Sequence, residues 1–342
     1  MAESRPRWSA CCRCVLRSIC FTLWVSVAWA TLLHVSEMSP RFKPPTPAQR
    51  VTAAGSTGAL PERLRRALEP GQDFQPVPNP GAADWLANHP EPGQTFEQFG
   101  QSRPNRPDQH RNKLYLQPLG TFDESLAPSL DQLSRFTTAF FMMDVRLLPL
   151  LDLGRTHITS RRNPRTGQVQ LLTGDILDLL KTRLPADAFA LLGVTMMDLY
   201  PDPNWNFVFG QASLRDRVGV YSFARYGPQF YGEPVTAESR RLMLRRSCKV
   251  LAHETAHMFG IEHCIWYACL MNGSNHLAES DARPLHLCPV GLHKLQWSTG
   301  FDVVERYRRL RDFDRHAGFE DEVEWLDKRI GFITRTAIGD AH

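Results

Sequence analysis

Apolar residues change their spacing several times along this chain, and each change marks an expected element. Leu114, Tyr115 and Leu116 form a short run bounded by polar residues and proline, as a strand does. From 126 to 142 the apolar positions recur at helical spacing. Segments 145–148 and 169–171 return to strand-like runs, and 176–184 is amphipathic with a helical period. The stretch 188–196 is the most continuous apolar run, which predicts a strand buried in the middle of a sheet. Two aromatic-rich segments, 205–209 and 218–223, read as further strands separated by a glycine-containing turn. A long helix is expected over 238–259, with shorter helices at 292–297, 303–310 and 321–330. This succession predicts a mixed α/β (α+β) fold, a twisted sheet with a helical C-terminal part.

Before residue 113 the pattern weakens. Residues 1–36 carry Arg5, Arg7, Arg13 and Arg17 ahead of an apolar stretch at 19–35, the layout of a signal anchor or signal peptide. A run of this length sits at the lower limit for a spanning helix, and Thr22, Ser26, Thr31 and His34 dilute it. The alternatives are a cytosolic chain with an unusual first exon and a surface-lying segment with acylated cysteines. Membrane association would run through 19–35. Residues 37–82 are rich in proline and poor in large apolar side chains, and read as a disordered linker. The folded domain is then expected at 83–335, its leading segment offering Trp85, Leu86, Phe96 and Phe99 for docking.

Composition narrows the function classes. The 342 residues suffice for one sizeable domain with appendages, and the net charge of +4 is small for that length. Arginines are scattered and form no stripe with interleaved aromatics, so no nucleic-acid partner is expected. The chain reads as a monomer. Its eight cysteines fall into an N-terminal group, the lone Cys248, and the trio Cys264, Cys269 and Cys288, which is no disulfide framework. Cys248, about one turn before the histidines below, reads as a buried helical thiol.

The chemistry lies at 253–263. His253, Glu254, His257, Gly260 and His263 match H-E-x-x-H-x-x-G-x-x-H throughout, the long zinc-binding motif of the metzincins. Positions four apart share a helix face, so His253 and His257 present two imidazoles to a single ion. Gly260 lets the chain leave the helix sharply and return His263 to the same point. Three protein ligands leave a fourth position for water, the hallmark of a catalytic zinc, and Glu254 is placed to act as its base.

Directly after the motif come Cys264, Cys269, Met271 and Cys288. Here the sequence resembles the archaemetzincin family, whose signature is this motif followed at once by a cysteine-rich segment. The resemblance extends through 198–201, 205–213, 222–226 and 283–285 and covers roughly 83–315. It implies a metzincin-like zincin fold with an active-site helix, a catalytic zinc on His253, His257 and His263, and Glu254 as base. It also implies a second, structural zinc on four cysteines, of which Cys264, Cys269 and Cys288 are present while Gly291 stands at the fourth position. That zinc is accordingly in doubt, with His286 and His293 as candidate substitutes. Met271 resembles the methionine beneath the metal in metzincins.

The leading expectation is a zinc metalloprotease hydrolysing peptides or proteins, with aminopeptidase action on short peptides implied by the resemblance. Glu262 and Asp198 are the candidates to receive a substrate ammonium group. Segments 205–209 and 218–225 are candidates to pair with an extended substrate, or are plain core strands. The rival class is a silent, zinc-stabilised binding protein. The resemblance implies an intracellular soluble enzyme, whereas residues 19–35 point to a membrane.

Overall fold

A computed structural model describes residues 42–123 and 125–335. The basic N-terminal segment and the anchor expected at 19–35 lie outside the described residues. Within them no helix is long and apolar enough to cross a membrane. In chain order, four short helices come first: α1 (Pro47–Ala54), α2 (Glu62–Leu68), α3 (Trp85–Asn88) and α4 (Phe96–Gln101). The mixed region follows with β1 (Lys113–Leu119), α5 (Leu130–Phe141), β2 (Asp144–Leu147), β3 (Ser160–Arg162), β4 (Val169–Leu172), α6 (Thr173–Arg183), β5 (Ala188–Thr195), β6 (Asp198–Tyr200), β7 (Gly210–Ser213) and β8 (Val218–Ser222). The chain then turns helical, with α7 (Ala237–Met258), α8 (Leu277–Asp281), α9 (Pro289–Thr299), α10 (Val303–Ala317) and α11 (Glu320–Thr334).

Five strands form one sheet in the order β2-β1-β5-β8-β7. β5 runs parallel to β1 and β8, β1 parallel to β2, and β7 closes one edge antiparallel to β8. Every residue of β5 is buried, which is what its unbroken apolar run requires when both faces of a parallel sheet are covered. A smaller sheet, β3-β4-β6, lies beside it. The mixed α/β expectation is met, and the expected strand at 205–209 is the local exception. That segment is irregular, held by one bridge between Leu199 and Val208, and regular pairing starts at Gly210.

Helix α7 packs against α5, β5, β7 and β8. Its start is fixed by a capping box in which Thr236 and Ser239 satisfy each other's free amides. At its far end Phe259 is fully buried, stacked on Phe141 at 5.4 Å and tilted against Phe189 at 4.3 Å. These rings fix where the helix stops, and so fix the depth of the histidines it carries.

The linker expected at 37–82 is corrected over its described part. From residue 42 onward the chain is folded, and Ala53, Leu64, Ala67, Leu68, Phe74 and Val77 join the main core. Composition misled because the apolar residues are few and find their partners far away in sequence. Helix α2 packs on α9, α10 and α11. The fully buried Arg329 donates to the carbonyls of Arg66, Ala67 and Glu69 at 3.2, 3.0 and 3.0 Å and pairs with Asp73 at 2.9 Å, so a side chain of α11 caps the end of α2. Phe74 meets Tyr267 and Trp325 edge-on at 6.3 and 5.4 Å.

A residue of a disordered linker tolerates truncation within about 0.5 kcal/mol. Phe74→Ala is expected to cost about 3 kcal/mol or more, read from the midpoint of denaturant unfolding, because it empties a closed aromatic pocket.

Candidate metal centre

The last two turns of α7 carry His253, Glu254 and His257 on the side facing a cleft. The helix ends at Phe259, and Gly260 takes φ +80°, where an added Cβ would also lie 2.9 Å from the Pro104 ring. Glycine is required there on both counts. The chain reverses and brings His263 back, so that one nitrogen of each of the three histidines lies within 4.8 Å of the others.

Each imidazole is tethered through Nδ1. His253 donates to the Leu270 carbonyl at 2.9 Å, His257 to the Ile261 carbonyl at 2.6 Å, and His263 to Oε1 of Glu91 at 2.8 Å. With Nδ1 protonated, each Nε2 carries a lone pair. The Nε2 atoms of His253 and His257 stand 3.1 Å apart, a repulsive approach of two acceptors unless a cation lies between them. Nitrogen ligands at about 2.0–2.1 Å from a tetrahedral zinc are about 3.3 Å apart, so the donor set fits that ion. Burial first, and the neighbouring imidazoles second, hold His253 well below its usual range and His257 down to about 4. Both stay neutral at physiological pH, as ligation demands.

Glu254 faces the same cleft, a cavity of about 400 Å³ whose walls include Trp85, Trp205, Phe209, Tyr226, Lys249 and Arg283. Enclosure pushes its carboxyl up to about 7, partly offset by His263. It is the one carboxylate among the described residues lining the cleft. Segment 203–209 forms a rim and is pinned from below. Arg161 donates to the carbonyls of Pro203 at 2.8 Å and Asn206 at 3.2 Å, Asn163 and Gln170 donate to that of Asn206 at 3.0 and 2.9 Å, and the Arg225 guanidinium covers the Phe207 ring at 3.7 Å. Trp205 is left 55% exposed at the rim.

Neither candidate for an ammonium group is available. Asp198 is 2% exposed and accepts from Arg225 through both oxygens, at 2.8 and 2.7 Å, and from Gln170 at 2.8 Å. Glu262 is exposed and lies outside the cleft lining.

The sulfurs of Cys264, Cys269 and Cys288 also lie within 4.8 Å of one another, all buried, with Cys264 and Cys288 at 3.5 Å. Asn272 shapes their turn, accepting from Cys269 N at 2.8 Å and donating to the carbonyls of Cys264 and Tyr267. Burial opposes charge on all three thiols. At Cys264 the hydrogen bonds from Cys269 and Cys288 outweigh it and pull the thiol well below its usual range, while Cys269 and Cys288 are pushed up.

His286 and His293 do not join this group. His286 stacks on Trp325 at 3.5 Å and binds Glu322, and His293 stacks on Phe96 at 3.6 Å and donates to the Ala54 carbonyl. Gly291 sits in the first turn of α9, and an added Cβ would stand 3.8 Å from the Cys269 sulfur and 3.2 Å from Leu287. Three thiols are thus present, and a side chain at position 291 would start out beside the Cys269 sulfur. Met271 is fully buried beside Leu270, and Cys248 is buried inside α7, apart from both groups. A further trio, Asp84, His276 and Glu279, is spent on hydrogen bonds: His276 binds Asp84 and Glu279 N, and Glu279 binds Trp85 N, Asn275 N and Arg283.

Sequence reasoning missed Glu91 and did not assign Lys249 or Arg283 to the cleft. No local pattern marks Glu91, which meets a histidine 172 positions later. Trp85 was expected to dock; its indole packs edge-on to His263 at 5.2 Å.

The model of peptidase family M54 matches residues 169–297. Archaemetzincin-2 of Homo sapiens is 42% identical over 293 residues, which is 77% of this chain and 78% of that protein. Archaemetzincin-1 of Homo sapiens is 36% identical over 254 residues, 66% of this chain and 51% of that protein. Among solved structures, archaemetzincin from Archaeoglobus fulgidus, complexed with malonate, is 28% identical and covers 53% of this chain and 99% of that one, with a TM-score of 0.41.

If the three thiols are one ligand short, Gly291→Cys should raise tightly held zinc from one ion per chain to two in metal analysis of purified protein.

Proposed function

This chain belongs to the archaemetzincins, peptidase family M54, and from that premise we propose that it hydrolyses peptide bonds in the cleft above α7, with His253, His257 and His263 holding zinc and Glu254 moving the proton. The observation that carries the reading is the convergence of three Nδ1-tethered imidazoles beside the one carboxylate that lines the cleft among the described residues. Zinc bound there supplies a Lewis acid that polarises the scissile carbonyl and acidifies water. Glu254 accepts the proton of the attacking water and returns it to the departing amine.

The outer edge of β7 begins at Gly210, which lines the cleft, so an extended peptide has a strand end to pair with. Trp85 and Trp205 give that peptide apolar walls. Aminopeptidase action would need a spare carboxylate for the substrate's ammonium group. With Asp198 committed to Arg225 and Glu262 outside the cleft, the geometry favours recognition through the peptide backbone and side chains.

The rival reading, a zinc-stabilised binding protein without turnover, gives Glu254 nothing to do. Glu254→Gln keeps the size of the side chain and removes its basicity. It is expected to lower peptide turnover by about 10² to 10⁴-fold with zinc content unchanged. Equal hydrolysis by both forms would refute the role assigned to Glu254, and absence of hydrolysis in wild type across a diverse peptide library would favour the rival.

A further inference from the structure

We infer that Glu91 is a positioning residue of the metal centre, orienting and polarising the third histidine from a segment that precedes the sheet. The inference rests on the three-histidine zinc site proposed above. His253 and His257 are oriented by carbonyls of their own neighbourhood, at Leu270 and Ile261. His263 lies beyond the end of α7, where no helix fixes its ring. Its Nδ1 donates to Glu91 at 2.8 Å, and the same Glu91 oxygen accepts from the Trp85 indole at 2.9 Å. The Trp85 ring then packs edge-on against His263, so ring plane and tautomer are both set from the 85–91 segment.

Where the other two histidines meet main-chain carbonyls, His263 meets a carboxylate oxygen. An anionic acceptor makes the opposite ring nitrogen a stronger donor to a cation than a carbonyl does.

The segment is itself anchored on either side of Glu91. Trp85 N donates to Glu279, and Asp84 pairs with His276 at 3.1 Å. Downstream, Gln94 donates to the Gly260 carbonyl at 3.1 Å and accepts from Glu262 N at 3.3 Å, gripping the turn that delivers His263. Residues 84–94 therefore form a strap over the third ligand.

The test uses the full chain loaded with zinc. Zinc affinity is read by competition with a chromophoric chelator, melting is measured with and without the metal, and the visible spectrum of the cobalt-substituted protein reports ligand geometry. Glu91→Ala is expected to weaken zinc binding about ten- to hundredfold and to shift the cobalt bands, while the metal-free melting temperature stays near that of wild type. Glu91→Gln keeps an acceptor without the charge and should fall between, which covers the case in which the alanine variant fails to fold. Unchanged affinity and spectrum in Glu91→Gln, or equal losses of melting temperature with and without metal, would overturn the inference. None of these readouts depends on turnover. Loss of zinc affinity in a protein that cleaves no peptide would leave Glu91 in place and remove only the proposed function.

Discussion

Three imidazoles whose lone pairs converge on one point repel one another, and the rest of the site follows from holding that arrangement. At His253 and His257 low basicity keeps protons off the convergent nitrogens, and it is produced by burial under the cleft walls. Fixed tautomers keep Nδ1 occupied, and they are produced by three separate acceptors. Each acceptor in turn has to be held. The Leu270 carbonyl belongs to the cysteine turn braced by Asn272, the Ile261 carbonyl to the reversal made possible by Gly260, and Glu91 to the strap. The cysteine-rich segment therefore reaches the histidine centre even without a metal of its own.

Legibility in the sequence followed the range of the contacts. The motif was readable because a helix repeats every turn, so that spacing alone places His253 and His257 on one face and Gly260 at the exit. β5 was readable from the continuous apolar run at 188–196, and all eight residues of the strand are buried. Asp198 could not be judged from its type, since its commitment to Arg225 and Gln170 arises only when β4, β6 and the segment after β8 meet. Residues 42–82 misled for the same reason. Their few apolar side chains look insufficient until Trp325, Tyr267 and Arg329 arrive from the other end of the chain.

The rim segment 205–209 shows how a strand-like composition can serve another purpose. Its aromatic residues do not alternate across a sheet. Arg161, Asn163, Gln170 and Arg225 hold its carbonyls and rings from the protein side, leaving Trp205 to face solvent. A rim fastened by its backbone can change its outward side chains without losing its shape, which suits a surface that meets variable peptides.

The three tethers of the histidine rings differ in kind. Two are main-chain oxygens, present whatever residue occupies positions 261 and 270, and the third is a side chain. Heritable variation can therefore retune one corner of the centre while the other two are shielded from it. Residue 91 gives a lineage, or an engineer, a graded control over how firmly the ion is held, separate from the ligands and from the fold.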